Sequence, residues 1–324
     1  MVKKSQWTNQ GRRFIVLVES GNARASFCPD LGSCTIDAVA NALTADLFPS
    51  DINGHFKRWY QNGKCVYENE HPDWTGFLSY PKKPDIKSLP KDSSSNWRHL
   101  DFLMNRMTNV GVDLPIWFSA GHTDYNRRIM IVSQDPLRDE LPNGQLHLSS
   151  PFGLHNGDYR KARLVRDIVL GLLANDALVY LTDAMKLYFS LPKQNLKLEC
   201  RQAFLSQEFD WQSKFCMVLD REIELFKPKL VVLMGGPAME IALSHRVDKG
   251  TLSNVRFVVD GHSKLTALPK RTINGHECFF CSICHFTMAR LSLSAEERVN
   301  ELSECILGEL VRINRKAGSS EPCE

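Results

Sequence analysis

With 324 residues and 43% hydrophobic side chains, the chain is an ordinary globular protein, long enough to bury a real core in one large domain or two smaller ones. Forty basic against 37 acidic residues leave a net charge of +3, which excludes a nucleic-acid binder recognisable by charge alone but leaves room for a local basic groove. Ten scattered cysteines form no dense framework, Met1 to Trp7 lacks the apolar core of a secretion signal, and no apolar run nears the roughly 20 residues that cross a bilayer; a reducing cytoplasm is expected, away from membranes.

Phe14 to Val18 reads as a short strand, and Thr35 to Phe48 as an amphipathic helix with Ile36, Val39, Leu43 and Leu47 on one face. Cys28, Cys34 and Cys65 have no companion Cys-x-x-Cys and read as small core thiols rather than metal ligands. From His71 to Ser95, prolines 72, 81, 84 and 90 interleave with lysines 82, 83, 87 and 91, the pattern of a loop or linker. Those lysines, with Trp74, Tyr80 and Trp97, could meet a phosphate backbone and stack on bases; the plainer reading is a solvated loop. Residues 1–96 are thus set apart as an N-terminal extension or subdomain packed on or linked to the core.

Trp97 to Met107 carries Leu100, Leu103, Met104 and Met107 at helical spacing. Ile129-Met130-Ile131-Val132 then suits a strand buried on both faces of a parallel sheet, and it stops in a Gln134-Asp135-Pro136 corner. Pro136 disfavours helix at Asp135, so the carboxylate should project from the sheet rim, where ligands bind in open α/β folds; a simple turn is the competing reading. Arg138 to Gly157 reads as a loop carrying His147, Phe152 and His155.

Asp158 to Ala174 predicts a helix with Leu164, Ile168 and Leu172 inward, and Ala177 to Leu181 a second buried strand ending in Thr182-Asp183-Ala184. Trp211 to Phe226 predicts a helix, Lys229 to Met234 a strand, and Gly235-Gly236-Pro237 a tight turn opening a helix through His245; the full Gly-rich phosphate spacing is missing. Val255 to Val259 and Cys278 to Cys284 read as strands. The Cys278, Cys281, Cys284, His285 string resembles a metal motif, but alternation along a strand turns Cys281 away from the other two thiols, so no metal is assigned. Ser294 and Glu297 form a capping box ahead of a closing helix whose core face is Ala295, Val299, Leu302, Ile306, Leu310 and Ile313, and 317–324 reads as a polar tail. Strands alternating with helices from residue 129 predict an α/β fold, a three-layer α/β/α sandwich around a central, mainly parallel sheet.

Three strand ends present, in chain order, Gln134-Asp135-Pro136, Thr182-Asp183-Ala184 and His285-Phe286-Thr287. That order and placement resembles the uracil-DNA glycosylase superfamily, whose first motif contains Gln-Asp-Pro-Tyr-His or a Gly-Glu-Ala-Pro-Gly variant, whose second is a strand ending in Asn-Ala, and whose third is a His-Pro-Ser loop. The resemblance spans roughly residues 97–316 and implies a uracil-DNA glycosylase-like domain there. It implies that Asp135 positions water and that Asp183 reads the base, with Gln134 beside it. It further implies that Phe152 stacks on the extruded base and that His285 partners the base O2.

Breaking an N-glycosidic bond builds positive charge on the sugar and negative charge on the departing base. Asp135 suits the first and a donor such as His285 the second, with no cofactor required. Flipping a base from duplex DNA costs a few kcal/mol and calls for a stacking surface and a wedge. Two departures bear on the substrate. Leu137 stands where enzymes of the uracil type carry a Tyr that excludes a 5-substituent, and Asp183 stands where they carry Asn. An ionised carboxylate only accepts hydrogen bonds, which suits the cytosine amino group, while a protonated one would mimic Asn and keep uracil open. The third motif departs as well: Phe286 or Met288 takes the place of the wedge, Thr287 lies between them, and Arg290 faces phosphate.

The expected activity is that of a monofunctional DNA glycosylase acting, as a monomer, on a modified pyrimidine such as hydroxymethyl- or glucosyl-hydroxymethylcytosine in phage DNA, a role in antiviral defence. The alternatives are repair of uracil or another deaminated base, and a non-catalytic nucleic-acid-binding relative.

Overall fold

In the computed structural model of the protein the described residues are 6–9, 12–15, 26–27, 30–48, 53–54, 56–57, 109–119, 124–134, 145–149, 160–190, 211–243, 255, 258–259, 262–285 and 294–318. Their main elements, in chain order, are β1 (Ser26–Phe27), α1 (Ile36–Asp46), β2 (Asn109–Asp113), β3 (Ile116–Ser119), β4 (Arg128–Ser133), β5 (Gln145–Ser149) and α2 (Arg160–Leu173). There follow β6 (Leu178–Asp183), β7 (Leu187–Ser190), α3 (Trp211–Phe226), β8 (Leu230–Met234), α4 (Gly236–Leu243), β9 (Thr266–Ile273), β10 (His276–Ile283) and α5 (Ala295–Gly318).

Seven strands form one sheet in the order β9-β10-β8-β4-β6-β3-β1. The four central strands, β10, β8, β4 and β6, run parallel, and antiparallel strands flank them on both sides. All residues of β4, β6 and β8 are buried, as expected of strands covered on both faces. The run at 129–132 is therefore the central strand it was expected to be. Arg128 opens β4 from inside the core: its Nη1 donates to the Phe226 carbonyl over 2.6 Å, and its guanidinium lies 3.7 Å from the Tyr125 ring centroid. This ties the start of β4 to the end of α3 through a charge-assisted bond.

Two groups of helices cover the sheet. The helices α1, α3 and α4 pack together, and α2 packs on α5. Right-handed crossovers account for the division: the chain steps from β4 to β6 through α2, then returns across β4 to β8 through α3, so the two connections lie on opposite faces. The helical periodicities are as the sequence indicated, with Leu164, Ile168 and Leu172 of α2 buried, and Val299, Leu302, Ile306, Leu310 and Ile313 of α5 buried. The capping box forms: the Ser294 N–H donates to Glu297 Oε2 over 2.7 Å, and the Glu297 N–H donates to Ser294 Oγ over 3.1 Å. Thr35 caps α1 by accepting from the Ala38 N–H over 3.1 Å. Val39, Leu43, Leu47, Phe48 and Phe56 belong to the same buried cluster as the central strands, and the short β1 pairs with β3 at the sheet edge.

Three readings change. Arg138 to Gly157 is not loop throughout, because Gln145–Ser149 is a strand, β5, paired in parallel with β2. The alternation of Leu146 and Leu148 was its signal, masked by the flanking Pro, Gly and Ser. Of Val255 to Val259, Val258–Val259 is strand, in a two-residue ladder with His262–Ser263 outside the main sheet, and Val255 is not; residues 256–257 lie outside the described residues. The early strand includes Phe14 and Ile15 as expected but begins at Arg12 and pairs with Gln6–Asn9, while residues 16–18 lie outside the described residues. The segments His71–Ser95 and Trp97–Met107 lie outside the described residues. Among the described residues, no helix is long and apolar enough to cross a membrane.

Candidate active site

In the order β6-β4-β8-β10, β4 comes first in sequence, with its successor on one side and the third strand on the other. Such an order creates a crevice at the carboxyl ends of β4 and β8, where connections leave to opposite faces. The described motif residues lie at this end of the sheet. β4 ends in Ser133, followed by the half-buried Gln134. Asp183, fully buried, ends β6 directly opposite Ser133. On the far side of β8, His285 follows β10, and its Nε2 lies within hydrogen-bond reach of Ser133 Oγ, at 3.3 Å.

The backbone makes that reach possible. β8 stops at Met234, and Gly235 turns with φ +87°, a conformation that favours glycine; its N–H donates to the Ile283 carbonyl over 2.9 Å. The end of β10 is thereby fastened across the end of β8. On the other side, the Ala184 N–H donates to the Ser133 carbonyl over 2.8 Å and the Met185 N–H to the Gln134 carbonyl over 2.9 Å. The ends of the first and second motifs are locked together by main-chain bonds, independent of side-chain identity.

Gln134, Asp183 and His285 therefore stand on one rim. Asp135, Leu137, Phe152, Phe286, Thr287, Met288 and Arg290 lie outside the described residues.

The structure also brings together residues that no motif singled out. Lys186, fully buried, donates from Nζ to Asp113 Oδ2 over 3.1 Å and to Glu222 Oε2 over 2.8 Å, and has a further bond to Thr182 Oγ1. Thr182 Oγ1 in turn bonds Asp113 Oδ2 at 2.8 Å and Glu222 Oε2 at 3.0 Å. The Asp183 N–H donates to Asp113 Oδ2 over 3.0 Å. Burial alone would lower the Lys186 pKa, but the Glu222 and Asp113 carboxylates beside it outweigh that and raise it. Burial pushes the Glu222 carboxyl up to about 7, against the pull of the Lys186 ammonium. One cation thus serves two carboxylates. A sequence signal for this cluster did exist, in the charged residues set within apolar stretches: Asp113 before Leu114, Lys186 before Leu187, and Glu222 on the inner face of α3.

The cysteines of β10 go to separate partners. Cys278 Sγ contacts the Arg271 carbonyl at 3.6 Å and Cys284 Sγ contacts Ser263 Oγ at 3.1 Å, while burial pushes the Cys281 thiol well up. Among the described residues no group of three or more His, Cys, Asp or Glu side chains could hold a metal ion.

A sequence model of the uracil DNA glycosylase superfamily matches residues 120–281, half of the chain. The chain belongs to the uracil-DNA glycosylase superfamily. The match covers the first two motif segments and stops before His285. Membership in this superfamily points to DNA as the partner and to glycosidic-bond hydrolysis as the reaction. No curated protein matches the chain.

Proposed function

We propose that this superfamily member is a monofunctional DNA glycosylase that hydrolyses the N-glycosidic bond of a flipped-out 5-substituted cytosine, of the hydroxymethyl or glucosyl-hydroxymethyl kind found in phage DNA, and so serves antiviral defence. The observation that carries the reading is the meeting of the three motifs: His285 reaches Ser133 across the end of β8, and Asp183 lies opposite Ser133.

In the proposed reaction the C1′–N1 bond breaks and the electron pair leaves with the base. Asp135 holds the water whose oxygen bonds to C1′ and offsets the oxocarbenium charge, and a proton ends on the released base. His285 stabilises the negative charge that develops on the base O2. Asp183 accepts from the cytosine amino group, which an Asn in its place would do less selectively. Leu137 leaves the space beside C5 open, Gln134 lines the pocket, and Phe152 stacks on the flipped base. Phe286, Thr287, Met288 and Arg290 engage the DNA, an apolar one of them filling the gap left in the stack.

The test is a panel of matched oligonucleotides carrying uracil, cytosine, hydroxymethylcytosine and its glucosylated form, with abasic sites revealed by alkali. Release of the modified cytosines is expected, abolished in Asp135→Ala with DNA binding retained; Asp183→Asn should shift preference towards uracil. Preferential uracil release by the wild type would identify a repair enzyme, and no abasic product from any base would identify a DNA-binding protein without catalysis.

A further inference from the structure

We propose that Asp113, Lys186 and Glu222 form a positioning triad that fixes the Asp183 end of β6 against the end of β4 and thereby sets base selectivity, a role that rests on the glycosylase reading above. None of the three belongs to a motif, and none is proposed to touch DNA.

Asp113 is the joint. Its side-chain Oδ2 accepts from the Asp183 N–H, the Thr182 hydroxyl and the Lys186 ammonium, and its own N–H donates to the Lys186 carbonyl over 3.0 Å. It therefore grips both ends of the turn that carries Asp183. That turn is the one bonded through Ala184 and Met185 to the carbonyls of Ser133 and Gln134, immediately before Asp135. Asp113 also ends β2, the middle strand of a second, three-stranded sheet ordered β7-β2-β5, in register with Ser149 of β5. The chain leaves β5 shortly before Phe152. One side chain is thus joined to the strand end bearing the proposed base reader and, through its backbone, to the strand leading to the proposed stacking ring.

A buried ion cluster is a poor way to gain stability, because desolvation consumes most of the Coulomb attraction. It does confine its members to one geometry, since any displacement leaves a buried charge short of partners. Among the described residues, Asp113 Oδ1 and Glu222 Oε1 already have none, so the engaged oxygens hold the whole arrangement. A carboxylate that tells an amino group from a carbonyl must be held to within about 0.5 Å to do so.

The test uses the full chain and steady-state assays on the uracil, cytosine and glucosylated hydroxymethylcytosine oligonucleotides, alongside amide hydrogen exchange. Asp113→Asn keeps the shape of the side chain but loses its charge. It should lower kcat about tenfold or more with KM nearly unchanged, narrow the ratio between the preferred base and uracil by a similar factor, and speed exchange at residues 183–185 but not in α5. Glu222→Gln, which spares the Asp183 N–H bond, should do the same more weakly, about threefold; it carries the test if Asp113→Asn does not fold. A folded variant with wild-type kcat, selectivity and exchange overturns the triad. If the wild type releases no base, the glycosylase reading and the triad's part in selectivity both fall, and the exchange data alone decide whether the triad holds the strand end.

Discussion

Two buried polar regions flank the parallel strands, and they differ in kind. On the β10 and α5 side lie Cys281 and Cys284, whose spacing with Cys278 in the sequence invites a chemical reading, and the half-buried Cys305; there burial raises each thiol, Cys305 to about 12, so they stay protonated and behave as small core residues. On the β6 side lie Asp113, Lys186 and Glu222, which no motif announces, and there the core keeps charges that are held by one another. The comparison teaches that conspicuous residue types can be chemically quiet once buried, while scattered ordinary ones become a charged device when the fold gathers them.

The contrast is broken most forcefully by removing the one cation. Lys186→Met strands two buried carboxylates and should cost about 3–5 kcal/mol in urea unfolding. Adding Glu222→Leu to it should recover part of that loss, since the two residues act as a unit. Purely additive losses would show that the triad is not coupled.

A smaller effect separates the regions by pH. The Glu222 carboxyl binds its proton more tightly in the folded chain, near 7, than in the unfolded chain, near 4.5. Its contribution to stability is thus complete below about 4.5 and lost as pH rises through about 7. Lys186, raised above its ordinary value, stays charged throughout this window. The stability of the wild type relative to Glu222→Gln should therefore fall between pH 4.5 and 7, read from denaturation midpoints at constant salt; a flat difference would mean the carboxyl is not perturbed.

The thiol region should give the smallest response. Cys281→Ala should cost only about 1 kcal/mol, the central value for a single substitution. In the native chain Cys281 should resist iodoacetamide at pH 8, as followed by mass spectrometry, and react once the chain is unfolded; equal rates in the two states would make it an accessible, reactive thiol.

The core strands were legible because continuous apolar runs such as 129–132 and 230–234 admit few alternatives, and the helices because their inward residues repeat every third or fourth position. Harder cases were β3 and β7, strands of only four residues, too short for a period to show, and β5, hidden among turn residues. β9 runs along the sheet edge with only Leu268 and Ile273 buried, and Pro269 and Lys270 interrupt any apolar pattern, so the sequence assigned it no element. The Gln134, Asp183 and His285 motifs could be found from their order along the chain, but Ser133 as the partner of His285 could not, since a lone serine before a corner carries no distance information.

By itself the sequence determined the alternation of strand and helix, the caps and the three motif-bearing strand ends, because each of these follows from interactions within a few neighbouring residues. Only the tertiary structure decided that His285 crosses β8 to reach Ser133, and that Asp113, Lys186 and Glu222 share one buried cluster. Those contacts join residues far apart in the chain, and strand order, which no local pattern encodes, is what brings them together.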